Sequence, residues 1–212
     1  MRRAGLVLAI WLAALATTAK GEGRPGDFDF YVLALSWSPS WCATAEDAAE
    51  SPQCDAGAGH GFVLHGLWPQ FEQGYPEFCD AAEPPSCELV DALLDIMPDR
   101  GLVAHQWRKH GSCSGLDPQA YFATARAAFE HIKIPARFDG PASDERLSAA
   151  DIEMAFAGAN PGILADGIAV ICNDGLFEEV RICLTRDLAF RPCEEVDTRG
   201  CRQSGLRMPM LD

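Results

Sequence analysis

The chain has 212 residues, 48% of them hydrophobic, and a formal net charge of −14. That balance argues against a general nucleic-acid binder, which carries a basic footprint, so any polyanion bound here must be held by a few local cations. No repeat, low-complexity tract or Gly-, Ser- or Pro-rich linker divides the sequence, which favours one large domain over two small ones.

The first nineteen residues, MRRAGLVLAIWLAALATTA, have a basic start at Arg2 and Arg3, an apolar stretch from about Ala4 to Ala16, and then small residues. This predicts a cleaved secretory signal over 1–19, cut after Ala16 or Ala19, and too short and wrongly flanked for a membrane span. Residues 20–212 are then a single exported domain, secreted or periplasmic, with no membrane segment in the mature form. Nine cysteines fit an oxidising compartment, and they lack the paired C-x-x-C knuckles of a structural zinc site. An odd count leaves one thiol over.

FDFYVLALSWS (28–38) is rich in β-formers and apolar on both faces, which predicts a central strand. GFVLHGLWP (61–69) reads as a second short strand, broken by Gly66 and stopped by Pro69, with His65 at its end. Ser86 is placed to cap a helix over CELVDALLDIM, and Asp117 with Pro118 opens another over PQAYFATARAAFEHI. Ser148 and Asp151 form a capping pair for AADIEMAFAGA, which ends before Asn160-Pro161. GIAVIC (167–172) and EEVRICL (178–184) are expected as neighbouring strands, with a further strand through DLAFRPC after a turn at Thr185–Asp187. Strands, helices, then strands predict an α+β fold with helices packed on one mainly antiparallel sheet.

The segment HQWRKHGSC (105–113) concentrates two of the five histidines, a lysine and a cysteine. In a helix closed by Gly111, His105 lies above Lys109 and Gln106 above His110, while Trp107 turns to the core. Three readings compete: a solvated helix face, a metal site, or acid/base chemistry on a phosphate. Metal-binding histidines prefer a spacing of four. A spacing of five sets the rings about 140° apart around the axis, and the intervening lysine repels a cation. Cleaving RNA through its own 2′-hydroxyl needs a base, an acid on the opposite side of the phosphate, and cations for the transition state. Histidine serves as either acid or base near neutral pH, and His65 is the obvious second source.

FVLHGLWPQ (62–70) and HQWRKHGSC together resemble the two active-site segments of the ribonuclease T2 family, in a form suggesting a bacterial-type member. YVLALSWSPSWC (31–42) and EVRICL (179–184) resemble that family's first strand and its late cysteine-bearing strand. The resemblance implies a secreted, metal-free endoribonuclease of low base specificity with no cofactor, RNA as its partner, no DNA substrate, and a monomeric state. It implies His65 as general acid and His110 as general base, with His105 on the phosphate and Lys109 on transition-state charge. The products it implies are a 2′,3′-cyclic phosphate and then a 3′-phosphate. Trp68 matches a base-stacking aromatic, an interaction worth about 1–3 kcal/mol for any base. Phe71 and Tyr75 follow it in a loop and are candidates for the same pocket.

Two positions depart from the pattern. Gln106 stands where glutamate is usual, keeping an acceptor but not the charge, and activity is expected to survive it. The alternative is a catalytically weak scaffold that binds RNA or a protein without cutting. Gln70 replaces a base-reading aspartate, so no purine preference is carried over. The family pairing implies disulfides Cys42–Cys54, Cys79–Cys113, Cys172–Cys201 and Cys183–Cys193, with Cys87 unpaired or exchanging with Cys79. His60 and His131 read as ordinary surface histidines, and Trp37 and Trp41 as packing residues.

Overall fold

The computed structural model describes residues 23–80, 83–138 and 146–209. The expected signal segment, residues 1–19, lies outside them. Strand β1 (Phe30–Trp37) is buried on both faces, which is why its sequence is almost continuously apolar. Tyr31, Leu33, Leu35 and Trp37 enter the main core, while Phe30, Val32 and Ala34 join a smaller cluster on the other face. It pairs antiparallel with β2 (Phe62–Gln70) on one side and β4 (Leu176–Leu184) on the other. β3 (Ile168–Asn173) pairs antiparallel with β4, giving the order β2-β1-β4-β3. The expected α+β architecture with an antiparallel sheet is what forms.

β2 corrects the expectation of a short strand ending near His65. It runs through Gly66 and Pro69 without stopping, because it is the sheet's edge and the missing proline N–H costs no ladder bond. Gly66 faces Ala34 and Leu64 faces Leu35, so His65 is the extra residue of a β-bulge. A bulge bends the strand and re-aims the side chain at that point. His65 reaches the cleft by this local irregularity.

Short helix α1 (Ser38–Thr44) follows β1. Ser86 accepts from the Leu89 N–H as expected, but α2 (Cys87–Asp91) ends early and the chain continues in turns. α3 (Arg100–Lys109) is capped by Asp99 and closes at His110. Gly111 then opens a short 3-10 turn, Gly111–Cys113, at φ outside the left-handed region. Glycine is needed there for space: a Cβ would lie 2.5 Å from the Trp107 ring and 2.8 Å from Tyr121. α4 (Pro118–His131) and α5 (Ala149–Ala159) begin where their caps predict, α5 with a complete Ser148/Asp151 capping box. The strand expected through DLAFRPC does not form. Only an isolated bridge, Leu184 to Phe190, joins that segment, and the Cys183–Cys193 bond draws it into a tight return. α6 (Glu194–Thr198) follows.

All four expected disulfides are present, and Cys87 is the exposed free thiol. α3 is fixed by Trp107, whose ring packs on Tyr121 and Phe122 and whose indole N–H donates to the Glu83 carbonyl. Truncating a buried tryptophan to alanine costs about 3–5 kcal/mol, so this one ring is a large part of what seats the helix. Tyr121, from α4, donates its hydroxyl to the Leu67 carbonyl and ties that helix to β2. Among the described residues, no helix is long and apolar enough to cross a membrane.

Candidate active site

The sheet face opposite the main core and the C-terminal end of α3 enclose a cavity of about 270 Å³. His65, Trp68 and Arg181 line it from the sheet, and His105, Gln106, Lys109 and His110 from the helix. Tyr75 closes it from the loop after β2, and Glu195 and Arg199 from the C-terminal segment. A second cavity of about 310 Å³ shares only His65 and His105 with the first, and includes Trp41, Asp47, Gln53 and Asp99. Trp37 is core as expected, whereas Trp41 lines this second space.

The two histidines sit in contrasting surroundings. His65 Nδ1 lies 2.5 Å from Oε2 of Glu179, a residue of β4 that is 5% exposed. Burial pushes the Glu179 carboxyl up, but the His65 hydrogen bond and the charges of His65 and Arg181 outweigh it and hold the group at about 2. The group is therefore a carboxylate, which can only accept. Nδ1 then carries the proton, and Nε2 is left for a ligand. Glu179 also accepts from Arg181 Nε at 2.7 Å and from the Ser36 hydroxyl at 3.2 Å.

His110 has no such partner. It caps α3, is 5% exposed, and stacks on Trp68 with ring centroids 5.1 Å apart. Its buried Nδ1 has no hydrogen-bond partner among the described residues. Burial first, then the charges of Lys109, His65, His105 and Arg181, lower it to about 3. Burial is the larger cause, ahead of the crowded cations. An unpaired buried polar atom costs about 1–3 kcal/mol, a cost commonly kept where chemistry needs it. This ring is neutral over most of the pH scale and available as a proton acceptor.

His105 is also lowered, by burial and then by Lys109, Arg108 and His65. Phe78 lies edge-on to it at 6.5 Å, held at φ 50 with its N–H on the Lys109 carbonyl. Lys109 Nζ lies 3.9 Å from Glu77 and 5.9 Å from the centre of the Tyr75 ring.

Gln106 does not face the opening. It is 1% exposed and its Oε1 accepts from the Trp68 indole at 2.8 Å. A Cβ on Gly66 would come within 2.2 Å of that oxygen, so glycine there permits the approach. Gln106 thus orients the indole on which His110 stacks.

Trp68 is 9% exposed and Tyr75 is 42% exposed, so the open aromatic surface is that of Tyr75. Phe71 does not line the cavity; it packs against the main core, because β2 continues to Gln70 and carries the next residue inward. Glu179 and Arg181 escaped the sequence reading, which took EVRICL only as a cysteine-bearing strand. The signal was there: two opposite charges at i and i+2 alternate with Val180 and Ile182, and so share one face.

A model of the Ribonuclease T2 family matches residues 28–193. The chain belongs to the ribonuclease T2 family. Among T2 relatives, the ribonuclease of Aeromonas hydrophila is 41% identical over 133 residues, 63% of this chain, though the chain spans only 58% of that protein's length. Ribonuclease I of Escherichia coli is 27% identical, with 84% of this chain and 82% of that protein covered. Among solved structures, an RNase-related protein from Calystegia sepium superposes with a TM-score of 0.71 at 21% identity, covering 87% of this chain and 98% of its own. That likeness establishes the T2 fold.

Proposed function

We propose that this protein is an endoribonuclease that cleaves single-stranded RNA with low base specificity, using His110 as base and His65 as acid. The observation that carries this reading is the contrast between the two histidines: one buried without a partner, the other held by a buried carboxylate. His110 takes the proton of the 2′-hydroxyl, and O2′ attacks phosphorus. The P–O5′ bond breaks, and the 5′-oxygen leaves with the proton from His65 Nε2. The product is a 2′,3′-cyclic phosphate. Water then repeats the exchange with the roles reversed, giving a 3′-phosphate. Lys109 and His105 offer donors to the phosphate oxygens as negative charge builds there. The two cavities meeting at His65 and His105 suit a strand that continues past the cleaved bond in both directions. Export as a monomeric single domain spanning residues 20–212 belongs to the same reading, and the four disulfides support it.

The test is incubation with homopolymers and detection of cyclic-phosphate ends, in EDTA. Cleavage is expected with an optimum on the acid side of neutrality. With His110 at about 3, the base stays neutral far below the usual histidine range, so the acid limb of kcat/KM lies low. A rate still rising at about pH 9, or abolished by EDTA, overturns the mechanism.

A scaffold that binds RNA without cutting predicts retention with no product. Gln106→Glu separates the cases. A glutamate retains the indole acceptor and places negative charge one turn from His110, favouring its protonated form. The acid limb is therefore expected to move to higher pH while cleavage persists. An unmodified protein that is inert until this exchange is made would establish the scaffold reading.

A further inference from the structure

We propose that Arg181 is a further catalytic residue that binds the phosphate undergoing cleavage, with Glu179 positioning both it and His65. The inference rests on the function proposed above and extends it to β4, a strand outside the two histidine motifs. Along the sheet, Arg181 is paired with Ala169 on β3 and Ala34 on β1, and Ala34 is paired in turn with Gly66 on β2. A row of small residues therefore flanks the one long side chain. That leaves a lane along which it extends to Trp68, where the guanidinium carbon stands 5.0 Å from the ring centre.

Glu179 Oε1 takes the Nε–H at 2.7 Å. This single bond fixes the plane of the guanidinium without using its outer edge. The two terminal nitrogens have no hydrogen-bonded partner among the described residues. Arg181 lines the same cavity as His65, Lys109 and His110, and its charge contributes to the lowering of His110. A planar fork with two unused donors matches two oxygens of one phosphate, which a lysine point charge does not. The helix thus supplies Lys109 from one wall, and the sheet supplies a guanidinium from the other.

Merely holding buried Glu179 through the Nε–H bond is the competing role, and a conservative exchange separates the two. In Arg181→Gln the amide nitrogen occupies the position of Nε, so the bond to Glu179 is retained while the terminal fork and its positive charge are lost. The expected result is a kcat on homopolymer reduced about 10²–10³-fold, as for loss of one transition-state donor, with KM changed far less. Arg181→Ala is expected to regain turnover on addition of guanidinium chloride, saturably, and not with sodium chloride at equal ionic strength. Both variants are compared by near-ultraviolet circular dichroism, so a folding defect is seen directly. If Arg181→Gln retains turnover within a factor of a few, or is inert beyond any rescue of Arg181→Ala, the guanidinium does not act on the phosphate. Absence of cleavage by the unmodified protein would instead remove the proposed function itself.

Discussion

His65→Ala is expected to lose about 10²–10⁴-fold in turnover on RNA and to recover most of it on a nucleoside 3′-(p-nitrophenyl) phosphate. The nitrophenolate departs without needing a proton, so an enzyme lacking only its acid is not handicapped on that substrate. His110→Ala is expected to lose comparably on both substrates, because the 2′-hydroxyl must shed its proton in either case. The geometry gives the assignment its direction. His65 has a carboxylate to balance the charge of its protonated form, and His110 has buried surroundings and no partner. Stopped assays of both variants on both substrates give the four rates required. Recovery by His110→Ala instead of His65→Ala would exchange the two roles, and recovery by neither would remove leaving-group protonation from the mechanism.

Removing the Cys79–Cys113 disulfide by double alanine substitution is expected to lower stability by about 3–4 kcal/mol, from its loop of 34 residues. Cys172–Cys201 closes a loop of 29, so its loss is expected to cost nearly as much. Their kinetic effects should differ. Cys79 follows the loop that carries Tyr75 and Glu77, and Cys113 lies just past His110, in the turn that follows α3. The Phe78 and Cys79 N–H groups also bond to that segment, at the Lys109 carbonyl and Cys113 Sγ. Loosening this seam should raise KM by letting the Tyr75 wall drift, while the Cys172–Cys201 variant keeps its KM. Urea titrations and steady-state kinetics on both variants make the comparison. Equal KM values in the two would show that the bond serves stability alone.

Much of the fold was legible because its signals are local. β1 is apolar on both faces, and Ser86, Asp117 and Ser148 cap the helices they were expected to cap. The histidines, Lys109 and Gln106 were found by motif and spacing, and all line one cavity. What escaped depended on pairing partners. Pro69 and Gly66 look like strand breakers until β2 is known to be an edge strand. Glu179 and Arg181 look like ordinary strand charges until β4 is known to lie beside β1, which places them across from Ser36 and Ala34. The inward turn of Phe71 and the burial of Trp68 likewise follow from tertiary packing, which no local pattern in LHGLWPQF records.

Leu64 and Leu67 are both fully buried in the main core although they stand three positions apart, a spacing that regular strand alternation does not allow. The extra residue at His65 is what reconciles them. The chemistry therefore depends on length as well as composition at this point. Deleting Gly66 would restore plain alternation, but would seat His65 opposite Ala34, where a Cβ collides with the side chains of Gln106 and Trp68. Substitution at the same positions changes only a side chain. Any attempt to recombine this segment with that of another sequence must preserve the count before it preserves the letters.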